Sequence, residues 1–378
     1  MQTESVQALY IHVPFCPSIC PYCDFHKMRR QEDLVKAYLK RFIEEAKFYA
    51  QSIKGPFKTI YFGGGTPSHL KDDELGVIIE GLDRFWGFQA EEITLEADPL
   101  TFDRKRLDFF KHLGFNRLSI GLQSTQDTIL KFLGRKHSAQ EGLKAIELAL
   151  DAGFRVSADI ISAILGQDLA QDLHQVAALG VQHISVYGLS IEPYTPFSFR
   201  KISQSDDKAG DDFELSEQLL SSYGFYRYEV SNHAKPSFES KHNQVYWHGD
   251  YYLALGPSAA GFLPLREGAR QSDIIAERYT NPLLKAWLDQ ASPEYHPLSA
   301  KDYALERLLT GLRTQKGLDI KDVKVKSAFD IVEVYQGLIR EFEGLGVLTL
   351  EPSTNILKAT PEGLSKLNGV LRRFFQHL

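Results

Sequence analysis

Two rhythms of apolar and polar positions take turns along the first half of the chain. Short runs rich in β-branched and aromatic residues read as strands: "ALYIHV" (8–13), "KTIYF" (58–62), "EEITLEA" (91–97), "NRLSIGL" (116–122), "RVSADII" (155–161) and "QHISVYGL" (182–189). Between them the apolar residues recur at helical spacing. Across 31–53, for example, Leu34, Tyr38, Phe42, Ala46, Tyr49 and Ile53 fall on one stripe. Further helices are expected over 71–86, up to Gly114, between the capping box of Ser138 and Glu141 and the closing Gly153, and up to Gly180. The joints "LGFNRLSI", "AGFRVSAD" and "LGVQHISV" repeat one arrangement: a helix-ending glycine, an apolar residue, a polar step, a strand. Strands separated by helices predict an α/β fold with a parallel sheet, curled as a partial (βα)6 TIM-like barrel.

The pattern changes after the sixth strand. Residues 200–210, "RKISQSDDKAG", are polar and breaker-rich, as in a linker or lid. The stretch 228–257 is dense in aromatics and histidines and is expected to complete the side of the barrel. From Ser299, a helix with Tyr303, Leu308, Leu309 and Leu312 is expected, then another over about 327–343. A hairpin "VLTLEPSTNILKA" and a last helix opened by Thr360 and Pro361 follow. Three domains result: the barrel over 1–200, an extension over 201–298, and a helical, winged-helix-like segment over 299–378.

Charge narrows the function. The chain has 43 Lys and Arg against 49 Asp and Glu, a net −6, so nothing marks it as a nucleic-acid or membrane-surface binder. The winged-helix-like segment has twelve basic against ten acidic residues, too even for a phosphate binder, and reads as a docking or lid domain. No apolar run approaches the length of a membrane span, and "MQTESVQALYIHV" lacks the build of a secretory signal. The expected location is the cytoplasm, where thiols stay reduced.

The three cysteines, Cys16, Cys20 and Cys23, lie together in the loop after the first strand. An odd number at such short spacing argues against disulfides, and inert cysteines would scatter. Metal binding remains. Zinc could be held by the three thiolates with His26 or His12. An iron–sulfur cluster on three cysteines would instead leave one iron open to an outside molecule. Polar residues gather at the other strand ends: "GGGTP" (63–67), Glu96, Gln123, Asp159 and Tyr187. In a barrel of this type the chemistry sits there. "GGGTP" fits neither a P-loop nor G-x-G-x-x-G, since Ser68 replaces the last glycine; it permits close backbone approach by a ligand.

"YIHVPFCPSICPYCDF", "YFGGGTPSHL", "LEADP", "GLQS" and "YEVSNHAKP" together resemble the radical S-adenosylmethionine (SAM) proteins. Within them the likeness is to the branch of oxygen-independent coproporphyrinogen III oxidase and its heme-chaperone relatives. It runs from Tyr10 through the last domain. The resemblance implies a [4Fe–4S] cluster on Cys16, Cys20 and Cys23, with SAM completing the open iron. It implies SAM-site positions at Tyr10 and Tyr22, a backbone cradle at Gly64, Gly65 and Thr66, and a ribose or second-site contact at Glu96. Gln123, Arg135 and Asp159 match polar contacts of the oxidase pocket. His242, in "HNQVYW", is the implied heme ligand, with Tyr246 and Trp247 lining the porphyrin.

Two features favour the chaperone side of the branch: Phe25 stands where the oxidase has a further cysteine, and the first strand begins with no long extension before it. Three places depart from the family. "SAIL" (162–165) replaces "YGLP", Ala260 stands for an expected histidine, and His233 stands for an expected Phe. Three functions follow: a chaperone that binds heme and passes it to an acceptor protein, touching a membrane only through that acceptor; an oxidase that decarboxylates coproporphyrinogen III through a 5′-deoxyadenosyl radical; or a zinc-stabilised binding barrel.

Overall fold

Buried on both faces, parallel strands need near-continuous apolar runs, and Leu9, Ile11 and Val13 of β1 (Ala8–Val13) are fully buried. The computed structural model describes residues 5–200, 202–265 and 274–376. Lys201 of the expected linker and the outermost ends of the first and last expected domains lie outside the described residues.

The six expected strands are all present: β1, β2 (Thr59–Gly64), β3 (Glu92–Ala97), β4 (Arg117–Gln123), β5 (Arg155–Ser162) and β6 (His183–Gly188). They pair in parallel and in chain order. The helices α1 (Glu32–Tyr49), α2 (Asp72–Trp86), α3 (Arg104–His112), α4 (Ala139–Asp151) and α5 (Leu169–Ala178) connect them. Helix α1 buries Tyr38, Phe42, Ala46 and Tyr49 of the predicted stripe. Helix α4 opens with the predicted box: Ser138 accepts from the Glu141 N–H, and Glu141 accepts from the Ser138 N–H. The joint glycines Gly114, Gly153 and Gly180 all have positive φ, which ends each helix and aims the chain back at the sheet.

The sheet extends past the six strands on both sides. Strand β8 (Asn232–Ala234) adds antiparallel to β6, and β7 (Tyr226–Arg227) pairs antiparallel with β8 at the edge. On the other side β9 (Tyr252–Leu255) runs parallel to β1, and β10 (Ala260–Pro264), β11 (Ile274–Thr280) and β12 (Glu294–Ser299) follow antiparallel. The twelve strands form one open sheet among the described residues, so the barrel is partial.

Two expectations in the second half need correction. The polar stretch 200–210 is not linker throughout, because Ser205 caps helix α6 (Asp206–Ser222) and Asp206 to Gly210 belong to it. The helix expected over about 327–343 runs Ile331–Gly344, and a separate helix, Ile320–Ser327, precedes it, with Ala328 in a left-handed conformation between them. Helix α7 (Lys241–His248) carries "HNQVYW". Three short strands and the helices after Ser299 make the winged-helix-like segment, whose core residues Tyr303, Leu308 and Leu338 join Tyr252 and Phe262 of the large sheet in one cluster.

Candidate functional site

The cysteine loop is closed at its base by backbone. Phe15 and Cys16 pair with Met28 and Arg29, and the Met28 N–H donates to Pro14 C=O at 2.8 Å. His12 Nε2–H donates to His26 C=O at 2.8 Å, tying the loop to β1. On the far side the Phe197 N–H donates to Pro21 C=O at 3.1 Å. The three thiols therefore face one cavity of about 390 Å³ at the carboxyl ends of the strands. Burial pushes the Cys16 thiol up to about 11, against a hydrogen bond from Thr66, and burial also raises Cys23. Bound metal is what holds such thiols as thiolates.

The glycine turn and three charged groups line the same cavity. The Gly64 N–H donates to Glu96 Oε2 at 2.9 Å, and Tyr61 OH donates to Glu96 Oε1 at 2.8 Å. Burial raises the Glu96 carboxyl to about 7, and the nearby Asp159 adds to it, while the two hydrogen bonds oppose it. Asp159 accepts from Ser119 at 2.9 Å, and burial raises its carboxyl as well. Arg135 reaches across the cavity: Nη1 donates to Cys20 Sγ at 3.5 Å, and Nη2 donates to Asp98 at 2.7 Å and to Gly121 C=O at 2.8 Å. Its Nε is buried without a partner among the described residues. Gln123 has φ of 72°, a strained conformation at the end of β4 beside the cavity.

Of the predicted positions, Cys16, Cys20, Cys23, Tyr22, Gly64, Gly65, Thr66, Glu96, Gln123, Arg135 and Asp159 all line this cavity. Tyr10 stands one layer behind it, stacked on Tyr61 and donating its OH to His12 Nδ1 at 3.1 Å. The glycines serve the protein more directly than expected. A Cβ on Gly64 would meet the His12 ring at 2.5 Å, and one on Gly65 would meet Val13 C=O at 2.9 Å, so both point at β1 and its loop rather than at a ligand.

His242 is the clearest correction. It is not at the rim but fully buried at the opposite end of the strands. Its Nδ1 is bonded to Thr59 Oγ1 at 2.8 Å and its Nε2 to Tyr246 OH at 2.7 Å, so neither nitrogen is free for iron. Burial and the Arg117 cation lower it to about 3. His233 is equally enclosed, with Nε2 accepting from Arg227 Nε at 3.3 Å. The sequence reading missed Asp98, which steers Arg135; its signal lay in "LEADP". It also missed Tyr61, whose place directly before the glycines was visible.

The zinc reading loses its fourth ligand. Both nitrogens of His12 are engaged, and His26 Nε2 accepts from the Leu284 N–H at 3.1 Å. Three thiols lining one cavity with the Arg135 guanidinium and the glycine turn fit a cluster with an amino-acid-like ligand beside it.

A partial βα barrel with three cysteines in its first loop and a glycine turn after its second strand defines the radical SAM class. The radical SAM superfamily model matches residues 10–179, and the HemN C-terminal domain model matches residues 298–365. Heme chaperone HemW of Lactococcus lactis is 30% identical over 381 residues, 98% of each chain. HemW of Escherichia coli is 37% identical over 272 residues, 69% of this chain and 71% of that one. Among solved structures, the E. coli coproporphyrinogen III oxidase HemN, described as a radical SAM enzyme, superposes with a TM-score of 0.81. That match covers 99% of this chain and 91% of HemN at 21% identity, a likeness of fold. The chain belongs to the radical SAM superfamily, in the HemN-like branch that includes HemW. Among the described residues no helix is long and apolar enough to cross a membrane.

Proposed function

We propose that this chain is a heme chaperone: it holds a [4Fe–4S] cluster and SAM, binds heme in the cytoplasm, and passes it to an acceptor protein. The observation that carries the reading is the end-to-end similarity to proteins named heme chaperone HemW, including 98% coverage both ways. Phe25 supports it from this chain's own residues. It is 59% exposed beside the cysteine loop, where the oxidase side of the branch was expected to carry another cysteine.

Cys16, Cys20 and Cys23 would hold the cluster, which with SAM supplies one-electron chemistry when bound. The other residues have roles that follow from their geometry. Arg135, beside Cys20 in the cavity lining, would screen the charge there and offer its guanidinium to the SAM carboxylate. Glu96 fixes the glycine turn through the Gly64 N–H, and Tyr22 closes the thiol wall. Asp159, Gln123 and Thr66 supply the remaining polar lining.

The second reading, coproporphyrinogen III oxidase, has in its favour the full-length fold shared with HemN. One preparation separates them. The protein is reconstituted anaerobically, titrated with heme, and assayed with coproporphyrinogen III, SAM and reductant. The chaperone reading expects a brown iron- and sulfide-containing protein that loses its colour in Cys16→Ala, binds heme, and does not decarboxylate the porphyrinogen. Decarboxylation without heme binding overturns it in favour of the oxidase. A colourless preparation with stoichiometric zinc overturns the cluster.

A further inference from the structure

A line of polar side chains runs through the barrel interior behind the thiol cavity. Alternate residues of a strand share one face, so Ser157 and Asp159 of β5 lie on the same side of the sheet. The Ser157 hydroxyl lies 3.3 Å from Asp159 Oδ1. In the strand register Ser157 stands beside His183, the first residue of β6, and its Oγ is 2.7 Å from His183 Nδ1. His183 Nε2 is in turn 2.8 Å from Tyr228 OH. Asp159, Ser157, His183 and Tyr228 thus form one unbroken hydrogen-bonded chain, and its last three members are buried. One end, Asp159, lines the thiol cavity at the carboxyl ends of the strands. The other end lies at their amino ends. Tyr228 OH accepts from the Ser240 N–H, and the next residue, Lys241, donates its N–H to Glu92, the first residue of β3. Tyr228 there lines a second cavity of about 210 Å³.

Every link in this chain can both give and take a proton. The hydroxyls of Ser157 and Tyr228 do so, and a neutral imidazole has one donor and one acceptor nitrogen. His183 is held neutral: burial lowers its affinity for a proton, and Arg117 and His233 lower it further. Asp159 is disposed to receive one. Burial raises its carboxyl, against hydrogen bonds from Ser185, Ser119 and Ser157 and the Arg117 cation. Glu96, Tyr61 and Tyr187 also face that carboxyl. Burial keeps the Tyr228 phenol neutral, with Arg117 opposing and Glu229 and Tyr187 reinforcing it.

We propose that Tyr228, His183 and Ser157 are a proton relay that joins Asp159 to solvent at the amino ends of the strands. The phenol proton of Tyr228 passes to His183 Nε2, the Nδ1 proton passes to Ser157 Oγ, and the Ser157 hydroxyl proton passes to Asp159 Oδ1. Water replaces the phenol proton. One proton enters, one rests on Asp159, each group between keeps its own count, and no electron moves. The return runs the same bonds backwards. A ligand in the thiol cavity would cover Asp159 from that side, and the relay lets the carboxyl change its charge after the ligand has entered. Ser157 and His183 act through Asp159 and are positioning residues. The relay belongs to the barrel and stands apart from the heme-binding reading. It also ties the His183 tautomer to Asp159. Beside an ionised Asp159, Ser157 donates to the carboxylate and accepts from His183 Nδ1–H. Beside a protonated Asp159, Ser157 accepts from the carboxyl and donates to Nδ1, so Nε2 carries the imidazole proton.

The test is NMR of the anaerobically reconstituted full chain, labelled at the histidine nitrogens and the aspartate carboxyl carbons and titrated with acid. The His183 signals are identified by their loss in His183→Gln, and the Asp159 signal by its loss in Asp159→Asn. His183 should switch from Nδ1–H to Nε2–H with the same midpoint as the Asp159 carboxyl. Asp159→Asn and Ser157→Ala should each fix the tautomer, and Ser157→Thr, which keeps the hydroxyl, should restore the switch. Tyr228→Phe should slow exchange of the His183 ring proton with heavy water at least tenfold. Circular dichroism is the folding control. One tautomer throughout the wild-type titration overturns the relay, and that result stands even where a variant fails to fold. A switch that persists in folded Ser157→Ala, or unchanged exchange in folded Tyr228→Phe, overturns it as well.

Discussion

Replacing Gly64 by Ala tests how the glycine turn and the cysteine loop are held together. Gly64 has φ of 108°, which L-residues rarely adopt, and forcing a side chain into it costs about 1–3 kcal/mol. The new Cβ would also lie 2.5 Å from His12 Cε1 and 2.6 Å from Nδ1. The ring has little room to yield, because Tyr10 OH holds one nitrogen and His26 C=O the other. Overpacking of this kind costs about 1–3 kcal/mol more. We therefore expect Gly64→Ala to lose roughly 2–6 kcal/mol in urea unfolding, with weaker SAM binding because the Gly64 N–H shifts from Glu96. The double variant Gly64→Ala/His12→Ala separates the two costs. Removing the ring relieves the clash and leaves the φ strain, so the two changes should couple favourably by about 1–3 kcal/mol. Part of the SAM affinity should return with it. Additive losses, or a Gly64→Ala protein as stable as wild type, would refute the argument.

Two further outcomes follow from buried carboxylates. Glu96, raised to about 7 in the fold against 4.5 as its ordinary value, favours the folded state when protonated. That contribution, at most about 3 kcal/mol, is full below pH 4.5, declines as pH rises to 7, and is gone above it. Unfolding of apo wild type against Glu96→Gln across pH 4.5–8 checks this, and parallel curves contradict it. Asp172 is fully buried and accepts from Ser124, the Thr125 N–H and hydroxyl, Gln126 and Gln167, joining the loops after β4 and β5. Asp172→Ala strands those donors and should cost about 3–5 kcal/mol in urea unfolding. A loss below about 1 kcal/mol would show that the loops close without it.

The barrel was legible because each of its rules is local. A parallel strand buried on both faces shows as a short apolar run, and a helix-ending glycine shows at its joint. The thiols were legible because three soft ligands in one loop have few other uses. The partners of those groups were not. Asp98 meets Arg135 across 37 positions and His12 supports Gly64 across 52, and neither pairing leaves a spacing or a periodicity. The separate helix Ile320–Ser327 was also hidden, since the turn that ends it is made by a left-handed Ala328 and not by a glycine.

The sequence "KHNQVYWH" shows where the limit falls. Its density of rings marked it as a site, but density does not say which way each ring points. That is decided by the helix, and the helix was short enough to escape a reading based on long stripes. Once Lys241–His248 is known to be helical, the four-residue spacing of His242 and Tyr246 puts them on one face and the spacing of Gln244 and His248 on another. Two histidines six positions apart then acquire opposite chemistry. His242 spends both nitrogens on Thr59 and Tyr246 inside the protein, whereas His248 faces an aromatic cavity with no hydrogen-bond partner among the described residues. A hydrogen-bonded interior imidazole holds a fold together. The residue most prominent in the motif is thus a structural one.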